Sequence, residues 1–372
     1  MGKNLSIAAY PAFALALLTV ICSCQKNVQK TTASSEEIAT KAIPPKELKD
    51  FVQVNLVGDN DEYNPARIDP NMVNGWGISF PASGPAWVSA EGTGKSLVLN
   101  GDGSPVAISP VTIPPAGLAP SSHPTGQVFN PTTDFKLPNG NPARFIFATA
   151  EGGVSGWNGG STAVRMINDP GDAYLGIALA SNGGNNFLYV ANFSEGEIEV
   201  FDKNWTEVGG MEFDDPGIPD GYAPFNIQAI DNKLYVMYAK VDPVEGEEET
   251  GDGLGYVDIF NTDGSMVKRF ISNGQLNAPW GIAKAPTGFW GEGSSTANVF
   301  LVGNFGDGHI NAYTEDGDFL GQLRQHGQPI VIEGLWGIAF APSTSTALNR
   351  NWLFFAAGPD DEEHGLFGYI KK

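Results

Sequence analysis

The sequence predicts an all-β fold, a six-bladed β-propeller whose last blade is closed by a strand from near the N-terminus. Three observations lead there. A segment centred on Trp-Gly-Ile recurs along the chain, each copy is followed by short strand-like runs in the same order, and the final copy is one strand short while one strand is left over at the start.

The recurrence is plainest in NGWGISFP (74–81), APWGIAKAP (278–286) and GLWGIAFAP (334–342), and weaker in TGQVFN (125–130), LGIALA (175–180) and APFNIQAI (223–230). The aligned positions are Gly77, Gly126, Gly176, Asn226, Gly281 and Gly337, spaced by 49, 50, 50, 55 and 56 residues. Repeats of this length suit propeller blades of four short strands each. After each WGI-like strand comes a hydrophobic run such as AWVSA, RFIFATA, NFLYVAN or NVFLVGN, and then a third strand such as EIEVFD or YVDIF. Val257 with Ile259, and Ile310 with Ala312, alternate with a period of two, as a half-buried strand requires. Asp-Gly pairs at 102–103, 263–264 and 316–317 mark tight turns toward a fourth strand, for which MVKRF (266–270) and FLGQL (319–323) qualify. The sixth repeat reaches Lys372 directly after its third strand, and FVQVNLV (51–57) is unassigned. Placing that strand in the last blade closes the ring and removes two exposed edges.

The N-terminal region reads as an export signal. Lys3 precedes an apolar run over 12–21, and Ile-Cys-Ser-Cys (21–24) follows. The run is shorter than the ~20 residues a bilayer span needs. The expected organisation is a lipoprotein signal peptide over 1–23 with lipidation at Cys24, a flexible tether over 24–49 and the propeller over 50–372. The tether is polar and contains Pro44-Pro45. Gln25 after the acylated cysteine favours the outer membrane over the inner. An ordinary cleaved signal peptide is the alternative. Net charge is −21, with 42 acids against 21 bases, which argues against nucleic acid as a partner.

The segments DPNMVNGWGISF (69–80), GYAPFNIQAI (221–230), LVGNFGDGHINAY (301–313) and AGPDDEEHGLFGYI (357–370) resemble an uncharacterised bacterial family of NHL-related propeller proteins. That resemblance implies an exported six-bladed propeller, often with a PEP-type C-terminal sorting tail. The present sequence reaches Lys372 without that tail, and the lipobox would serve as the anchor instead. Kelch blades share the period, but the Gly-Gly doublets here fall at changing registers.

In a propeller, the loops joining second to third strands and those joining successive blades share one face, called here the top face. The sequence places Trp76, Tyr222, Phe225, Asn226, Asn277, Trp280 and Trp336 at the starts of inner strands on that face, together with His364 as a ligand-binding candidate. The three tryptophans are either aromatic platforms for a sugar ring or packing elements between blades. Glu91, Asn192, Asn304 and Asp360 are candidate metal ligands from the second-to-third loops; carboxylates and amides of this kind suit calcium. No cofactor is otherwise expected. The four histidines, 123, 309, 326 and 364, lack metal-ligand spacing, and no Gly-x-Ser-x-Gly elbow is present. The acidic run 242–253 reads as a solvated hairpin loop, with a weak calcium loop or partner contact as the alternative. The functional expectation is a binding or scaffold propeller for an extracellular glycan, small molecule or protein, held on the membrane through Cys24. A calcium-dependent hydrolase of lactonase type is the alternative.

Overall fold

The computed structural model describes residues 47–372; the expected signal peptide, the expected lipidation site at Cys24 and most of the expected tether lie outside them. Six blade sheets follow one another along the chain, with a small hairpin of Arg324–Gln325 and Gln328–Pro329 between the last two. The inner strands are Gly75–Ser79, Pro124–Phe129, Tyr174–Asn182, Tyr222–Ile230, Pro279–Ala285 and Leu335–Phe340. Each pairs antiparallel with its second strand, and each second strand with its third. Blades 1, 2, 4 and 5 carry a fourth strand, including the expected Met266–Ser272 and Phe319–Gln322. Blade 3 has three strands; a lone bridge from Phe201 to Glu207 occupies part of the fourth position.

Blade 6 is closed as expected. Val52–Gly58 pairs antiparallel with Leu366–Lys371 in the order Val52 to Lys371, Gln53 to Ile370 and Val54 to Tyr369. A short parallel strand, Arg67–Ile68, then covers its outer edge. The body extends further toward the N-terminus than the assigned tether boundary. Leu48 is 4% exposed and joins the core, its carbonyl accepts a hydrogen bond from the Arg324 amide at 2.9 Å, and Lys372 Nζ donates to the carbonyls of Glu47 and Lys49.

The second strands read as unbroken apolar runs because both faces are covered. In Ala86–Ala90, the side chains of Ala86, Val88 and Ala90 pack toward blade 6, whereas Trp87 packs toward blade 2 against Phe145 and Phe147. Ile146 and Ala148 turn instead to blade 3. Similar clusters fill each remaining gap between neighbouring blades, and a seventh lies on the axis. The stability of the ring is therefore distributed over six interfaces of similar construction.

The repeated glycines meet at the axis. A Cβ on Gly77 would lie 2.6 Å from the Thr125 carbonyl of blade 2; on Gly126, 2.8 Å from the Ile177 nitrogen of blade 3; on Gly176, 2.2 Å from Asn226 Oδ1 of blade 4. On Gly281 it would lie 2.8 Å from the Trp336 carbonyl, and on Gly337, 2.4 Å from the Trp76 carbonyl. Only hydrogen fits at these positions. Asn226, the exception to the glycine register, spans the remaining gap by donating from Nδ2 to the Trp280 carbonyl at 2.8 Å. All six inner strands also shift register by a bulge at this level, which bends them toward one another.

Candidate functional site

The three tryptophans meet over the axis rather than standing separately. Trp76 and Trp336 stack with ring centroids 3.5 Å apart, and Trp280 meets both edge-on at 5.9 Å. Phe305 stacks on Trp336 at 4.1 Å, and Phe225 packs against it at 5.5 Å. Trp76, Trp280, Trp336 and Phe225 are 6%, 4%, 1% and 0% exposed. Their faces are used by one another, so the rings form a lid across the top of the channel. The indole nitrogens of Trp76 and Trp280 have no hydrogen-bond partner among the described residues.

Carboxylates rim the lid. Trp336 Nε1 donates to Glu362 Oε1 at 3.0 Å, and Asn74 Nδ2 donates to Glu91 Oε2 at 3.0 Å. The other Glu91 oxygen pairs with His123 Nδ1. Burial pushes the Glu362 carboxyl up to about 7, and the negative charge of Glu91 adds to it. Burial likewise pushes Glu248 up to about 8, with Glu362 contributing. These half-buried acids come from three places: the second-to-third loops of blades 1 and 6, and the acidic insertion of blade 4. The insertion is a hairpin exposed over residues 243–247, as its composition leads one to expect, but its base is structured. Glu248–Glu249 forms a short strand against Lys240–Val241, with Lys240 Nζ 2.6 Å from Glu249 Oε2. Asn277 Oδ1 accepts from the Gly251 amide at 2.7 Å, tying the insertion to the start of blade 5.

The other expected site residues have structural partners. Tyr222 is half-buried edge-on to Tyr256 at 4.8 Å. His364 Nδ1 lies 2.8 Å from Asp59 Oδ2 and 2.9 Å from Asn60 Nδ2, joining blade 6 to the segment after the closing strand. The hydrogen bond to Asp59 raises its pKa. Of the candidate metal ligands, only Glu91 sits at the rim. Asp360 is exposed, and the nearest cationic group to its carboxylate is His364 Nε2 at 3.8 Å. Asn304 Nδ2 donates to the Gln275 carbonyl and to Asp307 within blades 4 and 5. Asn192 Nδ2 donates to Glu199 Oε1 at 2.6 Å.

That last contact leads to an off-axis group the sequence reading did not single out. Oxygens of Asp169, Asp172 and Glu199 lie within 4.8 Å of one another. The Tyr174 hydroxyl, which has one proton, lies 2.6 Å from Glu199, 3.0 Å from Asp169 and 3.4 Å from Asp172. Three carboxylates in this arrangement have the donor chemistry of a calcium site.

Below the lid the channel widens into a cavity of about 460 Å³. Trp280, Gly337 and Asn226 lie toward its deep end, and the exposed Pro131, Ser181 and Ala229 line its mouth. These last residues belong to the lower ends of the inner strands and the loops beyond them, so the cavity opens on the face opposite the lid.

No protein-family model matches this chain. An uncharacterized protein of Acanthamoeba polyphaga mimivirus is 34% identical over 336 residues, covering 86% of this chain and 80% of the viral one. A second protein of the same virus is 33% identical over 336 residues, covering 86% of each. The chain belongs to the family of these two mimivirus proteins. The members matched here are thus viral, whereas the sequence resemblance pointed to an exported bacterial group. Among solved structures, a protein of unknown function from Bacteroides thetaiotaomicron superposes with a TM-score of 0.52 at 10% identity, covering 81% of this chain and 70% of that one, a likeness of fold. Virginiamycin B lyase from Staphylococcus aureus is matched at a TM-score of 0.49 and 12% identity, covering 87% of this chain and 99% of that one.

Proposed function

We propose that the chain is an exported binding protein, held on the outer membrane through a lipid on Cys24, that takes an amine-bearing glycan, small molecule or protein segment on its top face. The carrying observation is the ring of Glu91, Glu248 and Glu362 around an aromatic lid. The half-buried carboxyls of Glu248 and Glu362, raised by burial, accept a cationic group in exchange for their protons, and the unpaired indole N–H groups of Trp76 and Trp280 supply donors beside them. Export and anchoring rest on the Ser-Cys that follows the apolar run of residues 12–21, and kinship with exported bacterial propellers on the segments quoted above.

The reading is tested by calorimetric titration with spermidine and with glucosamine oligomers. Affinity for spermidine, whose amines stay largely charged over this range, is expected to rise from pH 6 to pH 8 with proton release, and to fall about tenfold or more in Glu362→Gln. Binding that is absent, or indifferent to both pH and this substitution, contradicts it. A metal-assisted hydrolase is the second reading, favoured by the carboxylate trio of Asp169, Asp172 and Glu199. It requires calcium to raise the melting temperature and EDTA to reverse the effect.

A further inference from the structure

We propose that the axial cavity below the tryptophan lid is a second ligand site, entered from the opposite face, for an uncharged saccharide of one or two rings. This inference is independent of the top-face reading. Its first support is geometric. The bulged inner strands and the inter-blade glycine contacts close the channel at one end only, and a volume of about 460 Å³ falls within the range of small-molecule sites, ~300–1,000 Å³.

Its second support is the chemistry of the wall. In a chain with 42 acidic and 21 basic residues, no ionisable side chain is found among the described residues that line this cavity. The lining combines amides and hydroxyls, namely Ser79, Gln127, Asn226 and Gln228, with aliphatic side chains. A charged ligand would leave water there with no counter-charge, whereas an uncharged one with many hydroxyls has partners of both kinds. Each inner strand is paired on one side only, so its axial edge offers further main-chain donors and acceptors.

The third support is an unmet demand. Ser79 is 7% exposed, and its hydroxyl has no partner among the described residues. Gln127 and Asn226, in contrast, are committed: Gln127 Nε2 donates to the Gly77 carbonyl at 2.7 Å, and Asn226 Nδ2 to the Trp280 carbonyl. They hold the wall in place and leave Ser79 and the half-buried Gln228 to face a ligand. At the mouth stand the half-buried rings of Phe80 and Phe129, which pack against Phe354 and Phe145 between the blades and give the wall an apolar rim.

The test is calorimetric titration of the intact chain with maltose, cellobiose and lactose, with glucuronic acid as the charged counterpart, since an amine-bearing sugar would also report on the top face. Ala229→Trp blocks the mouth at an exposed position, and Ser79→Ala removes one hydroxyl without changing the wall. The expected result is millimolar or tighter binding of at least one neutral disaccharide. It should weaken about tenfold or more in Ala229→Trp, weaken in Ser79→Ala, and remain unchanged in Glu362→Gln, which alters only the top face. Absence of binding by all three disaccharides, tighter binding of a charged sugar, binding indifferent to both cavity substitutions, or binding lost in Glu362→Gln overturns the proposal.

Discussion

Glu362 illustrates what a single residue contributes and why it escaped notice in the sequence. It sits in GPDDEEHG, where Asp360 and His364 were the candidates. Asp360, Asp361 and Glu362 take φ values of 56°, 49° and 66°, three successive left-handed residues. That backbone is uncommon away from glycine, and it turns Glu362 inward while Asp360 stays exposed. Propensity carries no signal of such a turn. The consequence is measurable. A carboxyl raised to about 7 from its ordinary value of 4.5 keeps its proton in the folded chain when the unfolded chain has lost it. Its contribution is therefore favourable below pH 4.5 and is lost as the pH rises toward 7. Glu362→Gln keeps the oxygen that accepts from Trp336 and removes the charge. The variant should be more stable than the parent by on the order of 2 kcal/mol at pH 8.5, with little difference at pH 4.5, in urea unfolding. Parallel pH profiles for the two would contradict this account of the site.

At the scale of elements, the outer part of blade 4 depends on one ion-pair group. Asp258 lies in the third strand with a fully buried side chain, and Arg269 in the fourth strand pairs with both Asp258 and Asp215. The guanidinium also lies 4.7 Å from the Tyr256 ring centre. Removing the cation leaves Asp258 buried beside Asp215 with no counter-charge, a loss that typically costs ~3–5 kcal/mol. Arg269→Ala should lower stability by about 3 kcal/mol in denaturant unfolding, and Asp258→Leu in the same chain should restore part of it. No recovery in the double variant would show that Arg269 acts through packing instead. The third strand of blade 4 was legible from its period-two alternation, but its burial was not: the alternation reads as half-buried, whereas Tyr256 to Phe260 are buried throughout because blades cover both faces. Less legible was how the acidic insertion is anchored. Its composition reads as solvated, and its fold rests on a distant contact, from the Asn277 side chain to the Gly251 amide. The tryptophans stand between these cases. Their common register was plain, but not that bulges at that register would bring blades 1, 5 and 6 together over the axis.

For the whole molecule, closure was legible from counting strands, because an extra strand at one end and a missing one at the other have a single economical solution. The one-ended channel was not, since it depends on how closely six glycine-level contacts approach. Both functional proposals rest on that geometry, and it holds only if the ring is closed. Amide hydrogen exchange across the closing strand tests this most directly. Val52–Gly58 pairs with Leu366–Lys371, so the hydrogen-bonded amides of the closing strand should exchange as slowly as those of Leu353–Ala357 in the same blade, within about tenfold, through opening of the whole ring. Exchange about a thousandfold faster in residues 52–58 than in 353–357 would mean that the strand detaches alone and would contradict a propeller held shut by its N-terminal strand.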